Sequence, residues 1–188
     1  MVNILPYDPD WPLEFQKIAS ALRLALGERA LRIDHIGSTA VPGLAAKDKI
    51  DIQVTVAALS EDLVSDMLSL GHIQWKSLLH DHVPPGSNEA DQEWEKWLFT
   101  QRGEQRSANI HMRIQGRLNQ RYPLLFRDYL RCRPATARAY AELKRRLAAN
   151  LADPQTYPDV KDPAVDLIYL AAEEWAAATG WVMGETDG

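Results

Sequence analysis

A short run of small and hydroxyl residues precedes a lysine and an aspartate that together suit a bound phosphate group. Gly37, Ser38 and Thr39 follow one predicted strand, and Lys47 and Asp51 come before and within the next. Glycine and small hydroxyl residues let backbone N–H groups approach an anion closely. A carboxylate on the next strand can hold Mg²⁺ or Mn²⁺ bridged to phosphate oxygens. The combination suits a nucleotide triphosphate or another phosphorylated small molecule, although similar turns occur wherever a strand ends.

Asp51 and His111 are the residues predicted to carry catalysis and to hold a metal. Asp is disfavoured in strands, yet Asp51 lies between Ile50 and Ile52 in an alternating segment. His111 holds a polar position on a later predicted strand, and its ordinary pKa of about 6.5 suits a general base or a second metal ligand. The alternative is purely structural, with Asp51 solvated and His111 paired for sheet stability.

Basic residues are concentrated between Arg102 and Lys144, which favours a local anion site within an acidic chain. Arg102 and Arg106 flank the strand of His111, where forked guanidinium groups can clamp phosphate. Lys144 and Lys161 can each help to neutralise a triphosphate, although lysines on helix surfaces usually do no more than solvate. The predicted phosphate-binding residues are Gly37, Ser38, Thr39, Lys47, Arg106 and Lys144.

Two further features have a functional and a simpler interpretation. His80 and His82 have a spacing that can chelate a metal, and with His111 they would make a metal-dependent hydrolase; a polar surface loop is the simpler interpretation. Trp94 and Trp97 can stack on a base or a sugar, but packing against the sheet is the simpler interpretation.

Hydrophobic periodicity predicts a sheet covered by helices on its apolar face, an α+β or α/β arrangement. Apolar and polar residues alternate in the segments around Asp51 and His111, so each of these strands has one polar face. The predicted strands are 31–36, 49–56, 73–79, 97–100 and 108–115. The predicted helices are 10–26, 60–70, 122–131, 134–151 and 162–179, with a long loop over 80–95.

Composition predicts one soluble domain spanning residues 1–188. The chain is 46% hydrophobic with a net charge of −5, which argues against a general nucleic-acid binder. Its apolar runs are all shorter than the roughly 18 residues of a membrane span. The single Cys132 predicts a reducing, cytoplasmic setting. The oligomeric state is left open.

The segment from His35 to Lys47, followed by Ile50-Asp51-Ile52, resembles the signature of the GrpB family of small bacterial proteins. The opening Tyr-Asp-Pro with Trp11, the isolated His111 and the 126–130 and 157–161 segments are similar to the same family. The resemblance implies an α+β, nucleotidyltransferase-like fold, with a mixed sheet of about five strands and helices packed on one face. The family also occurs fused behind dephospho-CoA kinase.

The chain departs from the carboxylate pattern of the nucleotidyltransferase superfamily, in which a Gly-Ser turn precedes two carboxylates on one strand and a third on its neighbour. Those carboxylates hold two metals. Here Asp51 matches, Gln53 stands at the second position, and Asn109, His111 and Arg113 occupy the neighbouring strand. The resemblance therefore implies either a metal-dependent enzyme that moves a nucleotidyl or phosphoryl group to an unidentified acceptor, or a non-catalytic module for a nucleotide or a CoA-type ligand.

Overall fold

One mixed sheet of five strands organises the computed structural model, which describes residues 2–88, 90–101 and 106–188. The strand order is β1-β2-β5-β4-β3; β2 and β5 are parallel, and the other neighbours are antiparallel. The predicted α+β class and five-stranded sheet are confirmed. The strands are β1 (Arg32–Ile36), β2 (Ile50–Val56), β3 (His72–Gln74), β4 (Trp97–Gln101) and β5 (Ala108–Ile114).

Six α-helices accompany the sheet within the described residues. They are α1 (Trp11–Leu26), α2 (Glu61–Ser69), α3 (Asp91–Trp94), α4 (Leu118–Cys132), α5 (Pro134–Asn150) and α6 (Tyr157–Thr179). Helices α1 and α2 pack on the apolar face, where Phe15 and Met67 join Ile52, Val54 and Ile110 in one buried core. The strict alternation of β2 places its isoleucines and valines on that face.

Helices α4, α5 and α6 form a second core with the loop that follows β1, and α4 covers part of the polar face of the sheet. The Gln53 side chain donates to the Gln120 carbonyl at 2.9 Å, and Arg127 donates to the His35 carbonyl at 3.0 Å. The helices therefore lie on both faces, not on one as expected, because α4 supplies hydrogen-bond partners for the Gln53 side chain of β2 and for the His35 carbonyl of β1.

Several element boundaries differ from the sequence prediction. Strand β3 is shorter than predicted, and the predicted loop over 80–95 contains α3. Helix α6 begins at Tyr157, ahead of the expected start at Asp162, and continues through Pro163. Pro158 lies in the first turn, where the N–H groups have no partner within the helix, whereas Pro163 is an interior residue that removes one backbone hydrogen bond, and α6 continues despite that loss. Pro163 therefore does not mark the helix start.

The segment 184–188 runs along the outer edge of β1. Gly188 N donates to the Ile33 carbonyl at 3.0 Å, and His35 N donates to Asp187 Oδ2 at 3.0 Å. The Thr186 hydroxyl accepts a hydrogen bond from Ile33 N. The backbone groups of this edge strand are thereby paired within the chain. Of the helices in the described residues, none has the length and apolar character of a membrane span.

Candidate functional site

A cleft of about 360 Å³ opens beside the ends of β1 and β2 and is closed on the far side by α5 and α6. It brings together five of the residues predicted from the sequence. They are Ser38, Thr39, Lys47, Asp51 and Lys144, which are joined there by Lys49, Asn109, Tyr140, Tyr157 and Lys161. The strand, the turn and the two helices therefore converge on one polar pocket.

Asp51 is the carboxylate at the sheet side of the cleft, and its side chain is 31% exposed. Its Oδ1 accepts a hydrogen bond of 2.9 Å from Asn109 Nδ2 and lies 4.0 Å from His111 Nε2. Burial opposes ionisation of Asp51, but His111, Asn109 and Lys49 outweigh it, so the pKa of Asp51 lies below its ordinary value. Asp51 is therefore an anion at neutral pH.

Gly37 is required by the position of the Asp51 carboxylate. Its φ of 71° lies in the region that favours glycine, and a Cβ atom on Gly37 would lie 2.6 Å from Asp51 Oδ2. The carboxylate thus packs directly against the turn backbone. The predicted pairing of Gly37 with Asp51 has a steric cause, because no other residue leaves room for the aspartate.

His35 and Thr39 fix the shape of the turn. His35 Nε2 and Thr39 Oγ1 are joined by a buried hydrogen bond of 2.9 Å, and the His35 ring stacks on Phe15 with centroids 4.8 Å apart. Burial lowers the pKa of His35 to about 4, so the ring is neutral at physiological pH. Thr39 borders the cleft, but its hydroxyl is already engaged with His35.

Lys144 reaches the turn from α5. Its Nζ donates to Ser38 Oγ at 2.8 Å and to the Ala45 carbonyl at 2.5 Å, and it lies over the Tyr140 ring. Burial, together with the charge of Lys161, lowers the pKa of Lys144 to about 7. Lys144 is therefore a core residue of the site and not the solvated surface lysine that its helical position also allowed.

Three more lysines surround the same space. Lys47 Nζ lies 4.1 Å from the centroid of the Tyr157 ring, and Lys49 Nζ donates to Asn109 Oδ1 at 3.2 Å. Burial lowers the pKa of both Lys47 and Lys161. Four lysines and two aspartates line the cleft, and one of the aspartates, Asp48, is paired with Arg106, so the lining favours an anion. The sequence prediction did not select Lys49, and it considered Lys161 for neutralising a triphosphate without selecting it as a site residue.

Arg106 does not line the cleft. Its NH1 lies 2.9 Å from Asp8 Oδ2 and 3.1 Å from Asp48 Oδ1. These two carboxylates occupy the guanidinium that was predicted to bind phosphate. Arg102, the other arginine considered for this role, lies outside the described residues.

Gln53, at the second carboxylate position, belongs to a buried polar network. Its Oε1 accepts a hydrogen bond of 2.9 Å from Arg113, whose Nε and NH2 donate to Asp81 at 2.8 and 2.9 Å. Lys96 also donates to Asp81, and these cations hold the pKa of Asp81 well below its usual range despite burial. The position thus joins the sheet to the 80–95 segment instead of facing a metal.

The described residues contain no group of three His, Cys, Asp or Glu side chains that could enclose a metal. His82 pairs with Asp166 at 2.9 Å, and His80 is exposed. The arrangement gives no support to the hydrolase interpretation built on His80, His82 and His111. His111 stands alone beside Asp51, and burial lowers its pKa, so it is neutral at physiological pH.

Comparison with known sequences identifies the family of this chain. A sequence model described as GrpB protein matches residues 1–170. The chain belongs to the GrpB family. The UPF0157 protein BH1888 of Halalkalibacterium halodurans is 33% identical to this GrpB protein over 175 residues, covering 91% of this chain and 82% of that protein.

A longer relative is named dephospho-CoA kinase. The protein of that name from Mycolicibacterium paratuberculosis is 35% identical over 195 residues, covering 96% of this chain but 48% of that protein. This GrpB chain therefore spans about half the length of the dephospho-CoA kinases that it matches, in agreement with the fusions that the resemblance implies.

Solved structures support the same assignment. The conserved protein GrpB from Enterococcus faecalis has a TM-score of 0.70 at 28% identity, covering 92% of this chain and 99% of that chain. Cid1, solved with its short product ApU, has a TM-score of 0.50 at 15% identity, covering 77% of this chain and 43% of that chain. The second likeness concerns the fold alone and confirms that it is nucleotidyltransferase-like.

Proposed function

We propose that this GrpB protein binds a nucleoside triphosphate together with one divalent cation in the lysine-lined cleft. The observation that carries the proposal is the convergence on a single pocket of four lysines, the ionised Asp51 and Asp48, the last of which is paired with Arg106. A lysine that only solvates the protein surface would be exposed, whereas Lys144 is only 3% exposed. A buried cation requires compensating negative charge, which a polyphosphate supplies.

The residues fit one cation better than two. Mg²⁺ is commonly held by one or two carboxylates, waters and substrate phosphates, and Mn²⁺ accepts the same oxygen ligands. Asp51 would provide the protein carboxylate, and a bound cation would neutralise phosphate charge. Gln53 is held by Arg113, so the described residues offer no second carboxylate at the position that a two-metal centre uses.

The residues of the cleft and of the turn beside it have different roles in this proposal. The Ser38 hydroxyl and Lys144 would contact the terminal phosphates, because they already share a hydrogen bond at the turn. Lys47, Lys49 and Lys161 would neutralise the remaining charge. Gly37 keeps the turn backbone close to Asp51, and Thr39 holds the turn through His35.

The binding test is calorimetry with ATP, GTP, CTP, UTP and CoA, each with Mg²⁺ or Mn²⁺, on wild-type protein and on Asp51→Asn. We expect Asp51→Asn to lose at least tenfold in affinity with metal present. Without metal the same variant should bind at least as tightly as wild type, because a carboxylate that repels the phosphates is removed, and this result would show that the fold is intact. Asp62→Asn, on the distant helix α2, is the matched control. The absence of binding at millimolar concentration with either metal would contradict the proposal.

A second candidate function is transfer of a nucleotidyl or phosphoryl group, and the neutral His111 beside Asp51 favours it. His111 could accept the proton of an attacking hydroxyl. In the presence of its acceptor, an enzyme should release pyrophosphate if it transfers the nucleotidyl group, or a nucleoside diphosphate if it transfers the terminal phosphoryl group. Both Asp51→Asn and His111→Gln should abolish that release. A module without transfer chemistry would bind the nucleotide and leave it intact.

The proposal includes a cytoplasmic setting, which the lone, exposed Cys132 favours. The relatives named dephospho-CoA kinase make CoA a necessary arm of the titration. Tighter binding of CoA than of any triphosphate would favour the CoA-type module over a nucleotidyltransferase.

A further inference from the structure

A second cavity of about 190 Å³ lies beside the lysine-lined cleft. Lys161 lines both spaces, and along β5 the side chain of Asn109 borders the cleft while that of Arg113 borders the second cavity. These two residues are four positions apart on one face, a separation of about 13 Å in a strand. The two spaces therefore lie side by side along the same strand.

Asn119, one of the residues that line the second cavity, carries a buried acceptor without a partner. Asn119 is 1% exposed, and its Nδ2 donates to Asp81 Oδ2 at 3.1 Å and to the Glu95 carbonyl at 2.8 Å. These two acceptors fix the orientation of the amide. Its Oδ1 is buried and has no hydrogen-bond partner among the described residues. Buried polar atoms without a partner are rare in folded proteins, because no hydrogen bond offsets the free-energy cost of removing them from water.

The walls of this cavity differ from those of the cleft. Trp94 and Tyr122 supply aromatic surface, with ring centroids 6.4 Å apart. The charged side chains of the lining are paired with one another: Arg113 donates to Asp81 at two points, and Lys161 lies 3.9 Å from Asp162. His82 contacts Asp166 at 2.9 Å. The cavity therefore favours an uncharged, partly aromatic group that can donate a hydrogen bond, whereas the cleft favours an anion.

We propose that the second cavity holds the nucleoside part of the ligand whose phosphates occupy the cleft. A hydroxyl or amino group of the nucleoside donates to Asn119 Oδ1, and its ring contacts Trp94 or Tyr122. Lys161 then lies between the phosphates and the nucleoside. This inference rests on the proposed function and adds to it the part of the protein that distinguishes a nucleotide from bare polyphosphate.

The test compares nucleoside triphosphates with inorganic tripolyphosphate by calorimetry in the presence of Mg²⁺. Wild-type protein should bind its preferred nucleotide at least tenfold more tightly than tripolyphosphate. Asn119→Ala should weaken nucleotide binding by about threefold to tenfold, the range for one lost hydrogen bond, and leave tripolyphosphate binding unchanged. Lys144→Met should weaken both ligands, and Asn150→Ala, at the exposed end of α5, should weaken neither.

The outcomes separate this inference from the proposed function. If tripolyphosphate binds as tightly as every nucleotide and Asn119→Ala changes nothing, the inference is overturned while the phosphate cleft stands. If neither ligand binds, both are overturned. Should Asn119→Ala fail to fold, the wild-type comparison decides alone: a nucleoside contribution below threefold overturns the inference, and tenfold or more supports it.

Discussion

Lys144 is the residue of the cleft whose charge changes nearest to neutral pH. Burial and the neighbouring Lys161 lower its pKa to about 7, while Ser38 and the Ala45 carbonyl hold its amine in place. A polyphosphate beside Lys144 stabilises the protonated amine and raises its pKa. Ligand binding must therefore take up a proton whenever the pH exceeds about 7.

We predict that the affinity for tripolyphosphate falls by up to about tenfold per pH unit between pH 7.5 and 9, as expected when only the protonated amine binds. Phosphoryl groups, with a second pKa of about 6, are already ionised over this range. Calorimetry in buffers of different ionisation enthalpy would also measure the proton uptake. Lys144→Arg keeps its charge and should flatten the profile; an unchanged slope in Lys144→Arg would assign the titration to another group.

His35 makes the stability of the protein sensitive to acid. Its pKa is about 4 in the folded chain and about 6.5 when unfolded, so the unfolded state binds more protons between these values. The stabilising contribution is complete above pH 6.5 and is lost as the pH falls towards 4. At pH 5 the loss of stability from this group, relative to neutral pH, is about 2 kcal/mol.

Urea unfolding at pH 7 and pH 5 tests this expectation. Because His72 and His111 also have lowered pKa values, the wild-type loss alone is not diagnostic. We expect His35→Asn to lose about 2 kcal/mol less than wild type on acidification, with His80→Asn, at an exposed site, behaving as wild type. Equal losses in His35→Asn and wild type would show that His35 does not carry the effect.

At the scale of elements, the turn after β1 holds the Asp51 carboxylate. Gly37 and Gly43 have similar positive φ angles of 71° and 79°. A Cβ atom on Gly37 would meet Asp51, whereas one on Gly43 would meet no atom within 4 Å. The two glycines therefore separate backbone strain from displacement of the aspartate.

We predict that Gly43→Ala costs about 1–2 kcal/mol of stability through strain alone and leaves metal-dependent nucleotide binding intact. Gly37→Ala should cost more and should also reduce metal-dependent affinity at least tenfold, because Asp51 has to move. Thermal unfolding and calorimetry on both variants provide the comparison. If both alanines reduce metal-dependent binding equally, the contact between Gly37 and Asp51 is not what positions the carboxylate.

The same elements show why part of the site could be predicted and part could not. A period of two in β2 and β5 is a local signal, and it placed Asp51 and His111 correctly on one polar face. The partners of Gln53 and Asn119 come from α4 and the 80–95 segment, which no local pattern specifies. Lys161 reaches the cleft only because α6 begins earlier than its prolines suggested. The positions of these residues depend on contacts between segments that are distant in the sequence.

For the molecule as a whole, the helical layers on the two faces of the sheet have different roles. Helices α1 and α2 bury the apolar face and act as the scaffold, while α4, α5 and α6 supply groups that face the cleft and the second cavity. Lys144 and Lys161 come from this second layer, and Asp51 comes from the sheet. A change in the packing of α5 or α6 against the sheet would therefore alter phosphate binding without touching the carboxylate.

The segment 184–188 is the part of the whole molecule whose removal gives the clearest expectation. It pairs with the backbone of Ile33 and His35, and Asp187 also binds Arg127 on α4. Deleting it should lower the free energy of unfolding by about 1–3 kcal/mol, because the loss of several hydrogen bonds and of the Asp187–Arg127 ion pair is only partly offset by the conformational entropy that the chain no longer has to lose. An uncovered edge strand also pairs with strands of other molecules, so light scattering should show association that increases with concentration.

The control is Asp187→Ala, which keeps the backbone pairing of Gly188. This variant should lose stability but should associate no more than wild type. A deletion variant with wild-type stability would show that the segment does not protect β1.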